Sequence, residues 1–278
     1  MAEDEWVTGR VGLTIGGYPL DLQMTVPAKP VKPHRMLPIF HQMTNSFADV
    51  GVQAEESEGR SISCKAGCGA CCRQPVPIAE IEAYQIAELV EAMPEERQAK
   101  VKKRFSDAMD HFRTNGWFTK FKKEYDRGSA KTSHEEMKKA MSVVTDYFFE
   151  GIPCPFLEDE SCSIHKDRPI ACREYLVTSP ASNCAKPSAE GVKVVALPIR
   201  PSKSVLKIAS TGISKTEGML LLIMSLELAE KYPERFPEKT GEQWMADFFG
   251  RDMDNTAEKE QSGAAAILAT RKRRKPEN

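Results

Sequence analysis

The chain has eight cysteines, and they fall in two blocks. The first, Cys64-Lys65-Ala66-Gly67-Cys68-Gly69-Ala70-Cys71-Cys72, sets four thiols within nine residues. The second spreads Cys154, Cys162, Cys172 and Cys184 along a proline-broken stretch. Thiols this close can form disulfides, bind metal, or hold a redox centre. The small residues between the first four let the backbone fold tightly around an ion, and Gly67 and Gly69 are free to take positive φ. The opening residues, Met1 to Trp6, are acidic and lack an apolar core, so a secretory signal is not expected. The longest apolar run, 219–224, falls far short of the roughly 20 residues a spanning helix needs. A cytoplasmic protein with no membrane segment is the expectation. In that reducing compartment clustered cysteines serve as metal ligands or redox catalysts more often than as disulfides. All eight are therefore expected to be metal ligands.

Three readings of the metal follow from spacing. Zinc prefers four tetrahedral ligands, commonly from two C-x2-C knuckles. Only Cys68 and Cys71 have that spacing, and the later gaps of seven, nine and eleven residues are too wide for a second knuckle. Iron–sulfur clusters take thiolates at looser spacing with a distant fourth ligand. Eight thiolates could fill one 4Fe–4S cluster and a second site, or two clusters, and 4Fe–4S is the favoured cofactor. Zinc or iron ions that merely staple the loops are the alternative. Adjacent Cys71 and Cys72 argue for two sites or a bridged one, because neighbouring side chains in extended backbone point apart. Arg168 and Arg173 suit the surroundings of an anionic thiolate cluster, since guanidinium donors offset its charge and raise its potential. Tyr175 could donate a hydrogen bond to the cluster or shield it. His165, close to Cys162, could be a ligand, and a surface role suits it better.

The combined pattern resembles a known family. Cys64/Cys68/Cys71/Cys72, then Cys154-Pro155-Phe156-Leu157, then Cys162 with Arg168-Pro169-Ile170-Ala171-Cys172-Arg173-Glu174-Tyr175, together look like the CxxxCxxCC cysteine-cluster family, often called zinc- or iron-chelating. The resemblance covers about 60–185. It implies a metal centre. The family includes the flagellin lysine N-methylase, a protein-modifying enzyme that is iron–sulfur-dependent and uses S-adenosylmethionine. A methylase-like or redox activity, a S-adenosylmethionine cofactor and a protein or peptide substrate are thus what the resemblance implies if the chain is an enzyme. Cys64-x3-Cys68-x2-Cys71 also matches the three-cysteine motif of radical S-adenosylmethionine enzymes. Ala70 in place of the usual aromatic, the fourth cysteine directly after, and the lack of an alternating β/α pattern speak against that fold.

The elements that must carry these loops read as mainly α, a compact helical domain with two irregular cysteine-rich loops forming a metal site and a small β-hairpin. Residues 1–33 form the hairpin, turning at Gly16-Gly17, and a proline-rich linker. Residues 34–254 are the helical domain, and 255–278 a disordered basic tail. Apolar stripes predict helices over 34–53, 79–93, 94–114, 117–125 and 133–150. Pro94 with Glu95 and Glu96 marks one start. A tight hairpin is expected around Glu158, Asp159 and Glu160. Residues 191–199 read as a β-like run, and helices over 203–208, 215–232 and 242–253 follow. His34 and His41, near the first helix start, have no ligand-spaced partner. The formal charge of −1 gives no signal for nucleic acid, which is not expected as a partner beyond the basic residues 271–275.

Overall fold

The computed structural model describes residues 6–15, 18–125, 134–187, 190–217 and 219–256. Gly16-Gly17, the loop at 128–131 and the basic tail lie outside them. Strands β1 (Trp6–Ile15) and β2 (Tyr18–Pro27) pair antiparallel, with Val7 opposite Val26 and Val11 opposite Leu22. A two-stranded ribbon is marginal alone. Here Leu22 and Val26 are buried, and Gly241, at the start of the last helix, lies so close that a Cβ there would meet Val26 Cβ at 2.5 Å.

Pro33 opens a 3-10 turn (Pro33–Met36) that leads into α1 (Leu37–Ser57). Helix α1 runs four residues beyond the expected stop at 53. Its buried face carries Leu37, Phe40, Met43, Phe47 and Ala48, and Phe40 stacks on Phe248 with ring centres 5.2 Å apart. Helices α2 (Glu80–Glu91), α3 (Glu95–Thr114), α4 (Trp117–Tyr125) and α5 (His134–Phe149) follow. Helix α3 buries Val101, Phe105, Ala108, Met109 and Phe112, spaced by three and four residues as one helical face. The α4–α5 pair, joined by Trp117 Nε1 donating to Val143 O at 2.9 Å, closes on it through Phe112 and Tyr147, stacked at 4.0 Å.

Beyond the second cysteine loop come α6 (Ile170–Glu174), α7 (Pro201–Ile208), α8 (Ile213–Glu217), α9 (Ser225–Lys231) and α10 (Gly241–Thr256). The single helix expected over 215–232 is not formed. Residues 220 and 221 are extended against 76–78 instead, ahead of a 3-10 turn at Leu222–Met224: Ile78 N donates to Leu220 O and Leu222 N to Val76 O. A short unbroken apolar run suits a buried strand as well as a helix. Here Leu220 to Met224 are all buried, and the backbone of 76–78 pairs with the start of the run before it turns. The β-like run at 191–199 is reduced to a short pairing, with Val195 N donating to Leu176 O and Thr178 N to Lys193 O.

Three buried glutamates tie helices together from a distance. Glu80 accepts from Thr211 N, Thr211 Oγ1 and Ser214 N around the start of α8. Glu174 accepts from Ser202 N and Oγ in the first turn of α7. Glu82 caps its own helix at Ala79 N (2.7 Å) and, with its other oxygen, Ile170 N at the start of α6 (2.8 Å). Each satisfies backbone donors that a helix start leaves unpaired.

Candidate metal centre

The first cysteine loop leaves α1 through Gly59, whose φ of +77° no side-chain-bearing residue adopts readily. Ser63 then fastens it to the far branch of the second loop: its N–H donates to Val177 O at 2.9 Å and its hydroxyl to Thr178 O at 3.3 Å. Gly67, at φ +81°, makes the turn that brings Cys68 round, and its N–H donates to Ser161 Oγ. Cys71 and Cys72 sit on a 3-10 helix, Ala70–Arg73, and Cys72 O accepts from Cys154 N at 2.7 Å. The two cysteine loops are therefore joined backbone to backbone at their centre.

The second loop folds on a small hairpin, β3 (Leu157–Glu158) with β4 (Ser161–Cys162), where Leu157 faces Cys162. Its two turn residues, Asp159 and Glu160, both lie at positive φ, +48° and +55°. That matches the hairpin turn whose twist suits paired strands, though glycine or asparagine usually occupies it. Glu160 is held there from the first loop. Arg73 takes both carboxylate oxygens, at 2.7 and 3.0 Å, and also donates to Gly69 O. A Cβ at Gly69 would meet the Glu160 carboxylate at 2.5 Å and a Leu157 methyl at 2.8 Å, so a larger residue would push the clamped carboxylate aside. From below, Arg97 and Arg104 of α3 donate to Ser163 O and Pro155 O. Releasing the clamp with Arg73→Gln should leave the helices intact. Hydrogen exchange at Cys154 N–H should speed up roughly tenfold, since a loop held by few contacts opens locally. Unchanged exchange would mean that the backbone junction alone holds the loops together.

After Cys162 the chain turns through His165, whose N–H donates to Cys162 O, and Arg168, which donates to the His165 carbonyl and ring. Arg173 is buried and spends its donors on Arg168 O, Lys166 O and Asn45 Oδ1 of α1. It holds the loop in front of Cys172, a task that its place beside a cysteine in the sequence does not reveal. Both guanidinium charges nevertheless favour the Cys162 thiolate. Tyr175 is half-buried near Cys184, Cys71 and Cys64, and burial raises its pKa. Cys184 is buried on the 3-10 helix Ala181–Ala185, which packs against the one bearing Cys71 and Cys72.

All eight cysteines are free thiols. Cys64 is exposed, so the cluster opens to solvent on that side. Burial raises the pKa of Cys64, Cys162, Cys172 and Cys184, and pushes Cys154 up to about 12. Cys71 rises first because it is hydrogen-bonded to Cys72, then through burial. Nearby thiols add to the effect throughout. Cys71 is close enough to raise Cys64, Cys154, Cys162, Cys172 and Cys184 alike. These are neutral thiols at neutral pH, and a cation would have to displace their protons. Among the described residues, no three His, Cys, Asp or Glu side chains stand close enough to hold one metal ion. The donor set fits a thiophilic centre in its chemistry.

Glu80, Glu82, Glu174 and Arg73 lie outside the residues that spacing picks out, yet they fix where the cysteine loops go. Residues 63–190 match a family model, CxxCxxCC, described as "Putative zinc- or iron-chelating domain". No curated protein and no solved structure matches the chain.

Proposed function

We propose, for a chain whose residues 63–190 match the CxxCxxCC family model, that the two cysteine loops hold an iron–sulfur centre. The observation that carries this reading is the number of thiols in two joined loops: all eight cysteines are free, and Cys72 O accepts from Cys154 N where the loops meet. Around one zinc ion the sulfurs sit about 2.3 Å from the metal, so all four crowd against one another. In an iron–sulfur cluster each iron takes its own thiolate and inorganic sulfide fills the middle, so the protein ligands stand further apart. Cys71 lies near thiols of both loops. Eight free thiols are twice what one tetrahedral zinc ion takes, which favours a polynuclear core.

Cys64, Cys68, Cys71, Cys72, Cys154, Cys162, Cys172 and Cys184 are the residues that would hold the centre. When bound, such a centre supplies one-electron chemistry or a Lewis-acidic iron. Arg168 lies close enough to favour thiolate at Cys71 and Cys162. Arg173 keeps the Lys166–Arg168 turn closed behind Cys172 through its carbonyl bonds. The open edge at Cys64 is the side from which a substrate or an electron donor would approach. Protein purified without oxygen should be brown, with iron and acid-labile sulfide in comparable amounts. Colourless protein carrying stoichiometric zinc and no sulfide would overturn the proposal in favour of a structural zinc domain.

A further inference from the structure

We propose that the free backbone edge at Val194 is a docking surface for a protein partner, which adds an extended acidic segment there as one more strand. The surface lies on the side of the molecule where Cys64 is exposed, and the inference does not depend on what the cysteines hold.

Three stretches of chain run side by side at this point. Ser63 N donates to Val177 O at 2.9 Å, Thr178 N to Lys193 O at 3.0 Å, and Val195 N to Leu176 O at 2.8 Å. Val177 and Val194 therefore face each other as the antiparallel pair that exchanges no hydrogen bonds of its own, and the backbone groups of such a pair point away from one another. The Val177 carbonyl turns inward to Ser63. The N–H and C=O of Val194 turn outward, and among the described residues neither has a partner. Val194 is also 39 % exposed, although its neighbour Val195 is fully buried. An open edge of this kind is a template for another strand, and strand addition is a recurring way to hold an extended peptide.

The edge is fixed in place from behind. Helix α1 comes so close that a Cβ at Gly51 would meet a Leu197 methyl at 2.9 Å and Ala196 O at 3.0 Å. Lys193 N donates to Ser179 Oγ at 3.1 Å, and Asn183 Nδ2 donates to Gly191 O at 2.7 Å. A strand already held loses little freedom when a peptide joins it, which favours binding.

Charge selects the peptide. Residues 59–73 and 175–200 carry six basic side chains, Arg60, Lys65, Arg73, Lys186, Lys193 and Arg200, against one acid, Glu190. Arg60 and Arg73 are neutralised by Glu55, Glu58 and Glu160. Lys65, Lys186 and Lys193 are exposed and form no ion pair among the described residues. That positive rim attracts an acidic segment and repels a basic one. At about 4.8 Å per strand, the added segment would run roughly 14 Å from the Ser63 backbone. It would anchor the partner beside the Cys64 opening without filling it.

The test uses the full-length protein and a fluorescein-labelled decapeptide of alternating valine and glutamate. Fluorescence anisotropy should show binding that weakens as salt is raised, and the matching valine–lysine peptide should bind roughly tenfold more weakly. At saturation, hydrogen exchange of the Val194 amide should slow about tenfold, while that of the already bonded Val195 amide changes little. Val194→Pro removes the free N–H without breaking a bond of the fold, since an edge tolerates proline, and should abolish binding. Lys186→Glu combined with Lys193→Glu should weaken binding about tenfold, and it decides the matter if the proline variant does not fold. Wild-type protein that fails to bind the valine–glutamate peptide, binds both peptides alike, or binds without slowing exchange at Val194 would overturn the proposal. Undiminished affinity in the double lysine variant would do the same.

Discussion

Glu82→Gln should be among the most destabilising single substitutions in the chain, costing roughly 2–5 kcal/mol in urea unfolding, because two buried N–H groups depend on that one side chain. Each oxygen has its own donor, Ala79 N at 2.7 Å and Ile170 N at 2.8 Å. An amide can face only one of them with an oxygen. Its NH2 would meet the other N–H donor to donor, in a place with 3 % residual exposure. Because Ile170 opens the helix that carries Cys172, the loss should also loosen the second cysteine loop. Metal content should fall with stability, and hydrogen exchange at Ile170 and Cys172 should speed up more than exchange in α3. A Glu82→Gln protein with wild-type stability would mean that the helix starts are satisfied by other groups.

Which parts of this arrangement can be read from the chain depends on how far apart the interacting residues lie. Helix α4 is legible to the residue and α3 to within one, since their signals are local: Pro94 followed by acids, and apolar residues at three- and four-residue steps. The hairpin at Asp159-Glu160 is likewise a local matter. The run at 219–224 misleads because a buried strand and a buried helix share the same unbroken apolar composition, and only its partner at 76–78 decides between them. The capping glutamates fail to show for the same reason. Glu80 and Glu82 look like ordinary acids in a first helical turn, while their partners lie 88 to 134 residues away. The cysteines stand between these cases. Their types and spacing identify thiol chemistry, but Ser63 and Val177, 114 residues apart, decide how the two cysteine loops are joined.

His41 should set the acid limit of the fold. It is buried on α1, its Nε2 has no hydrogen-bond partner, and burial together with the charges of Arg173 and Arg168 lowers its pKa to about 3. The unfolded value is about 6.5, so folding keeps the ring neutral. Its contribution is complete above pH 6.5 and is lost as pH falls towards 3, at about 1.4 kcal/mol per unit and roughly 5 kcal/mol in all. Glu82 acts in the opposite sense. Burial raises its pKa to about 7 from an ordinary 4.5. The folded state therefore keeps a proton that the unfolded state releases, and this contribution, complete below pH 4.5, is lost as pH rises to 7, by roughly 3 kcal/mol. Between pH 6.5 and 4.5 the slopes of these two groups oppose each other. Below 4.5 Glu82 is protonated in both states and, of the two, the histidine slope alone remains. His41→Leu removes that slope. Its advantage over wild type should grow by about 1.4 kcal/mol for each unit of acidification from pH 6.5 down to 3. Ordinary carboxylates titrate alike in both proteins and cancel in the difference. Parallel curves for the two proteins from pH 6.5 to 3 would show that the imidazole is protonated in the folded state and that the acid limit arises elsewhere.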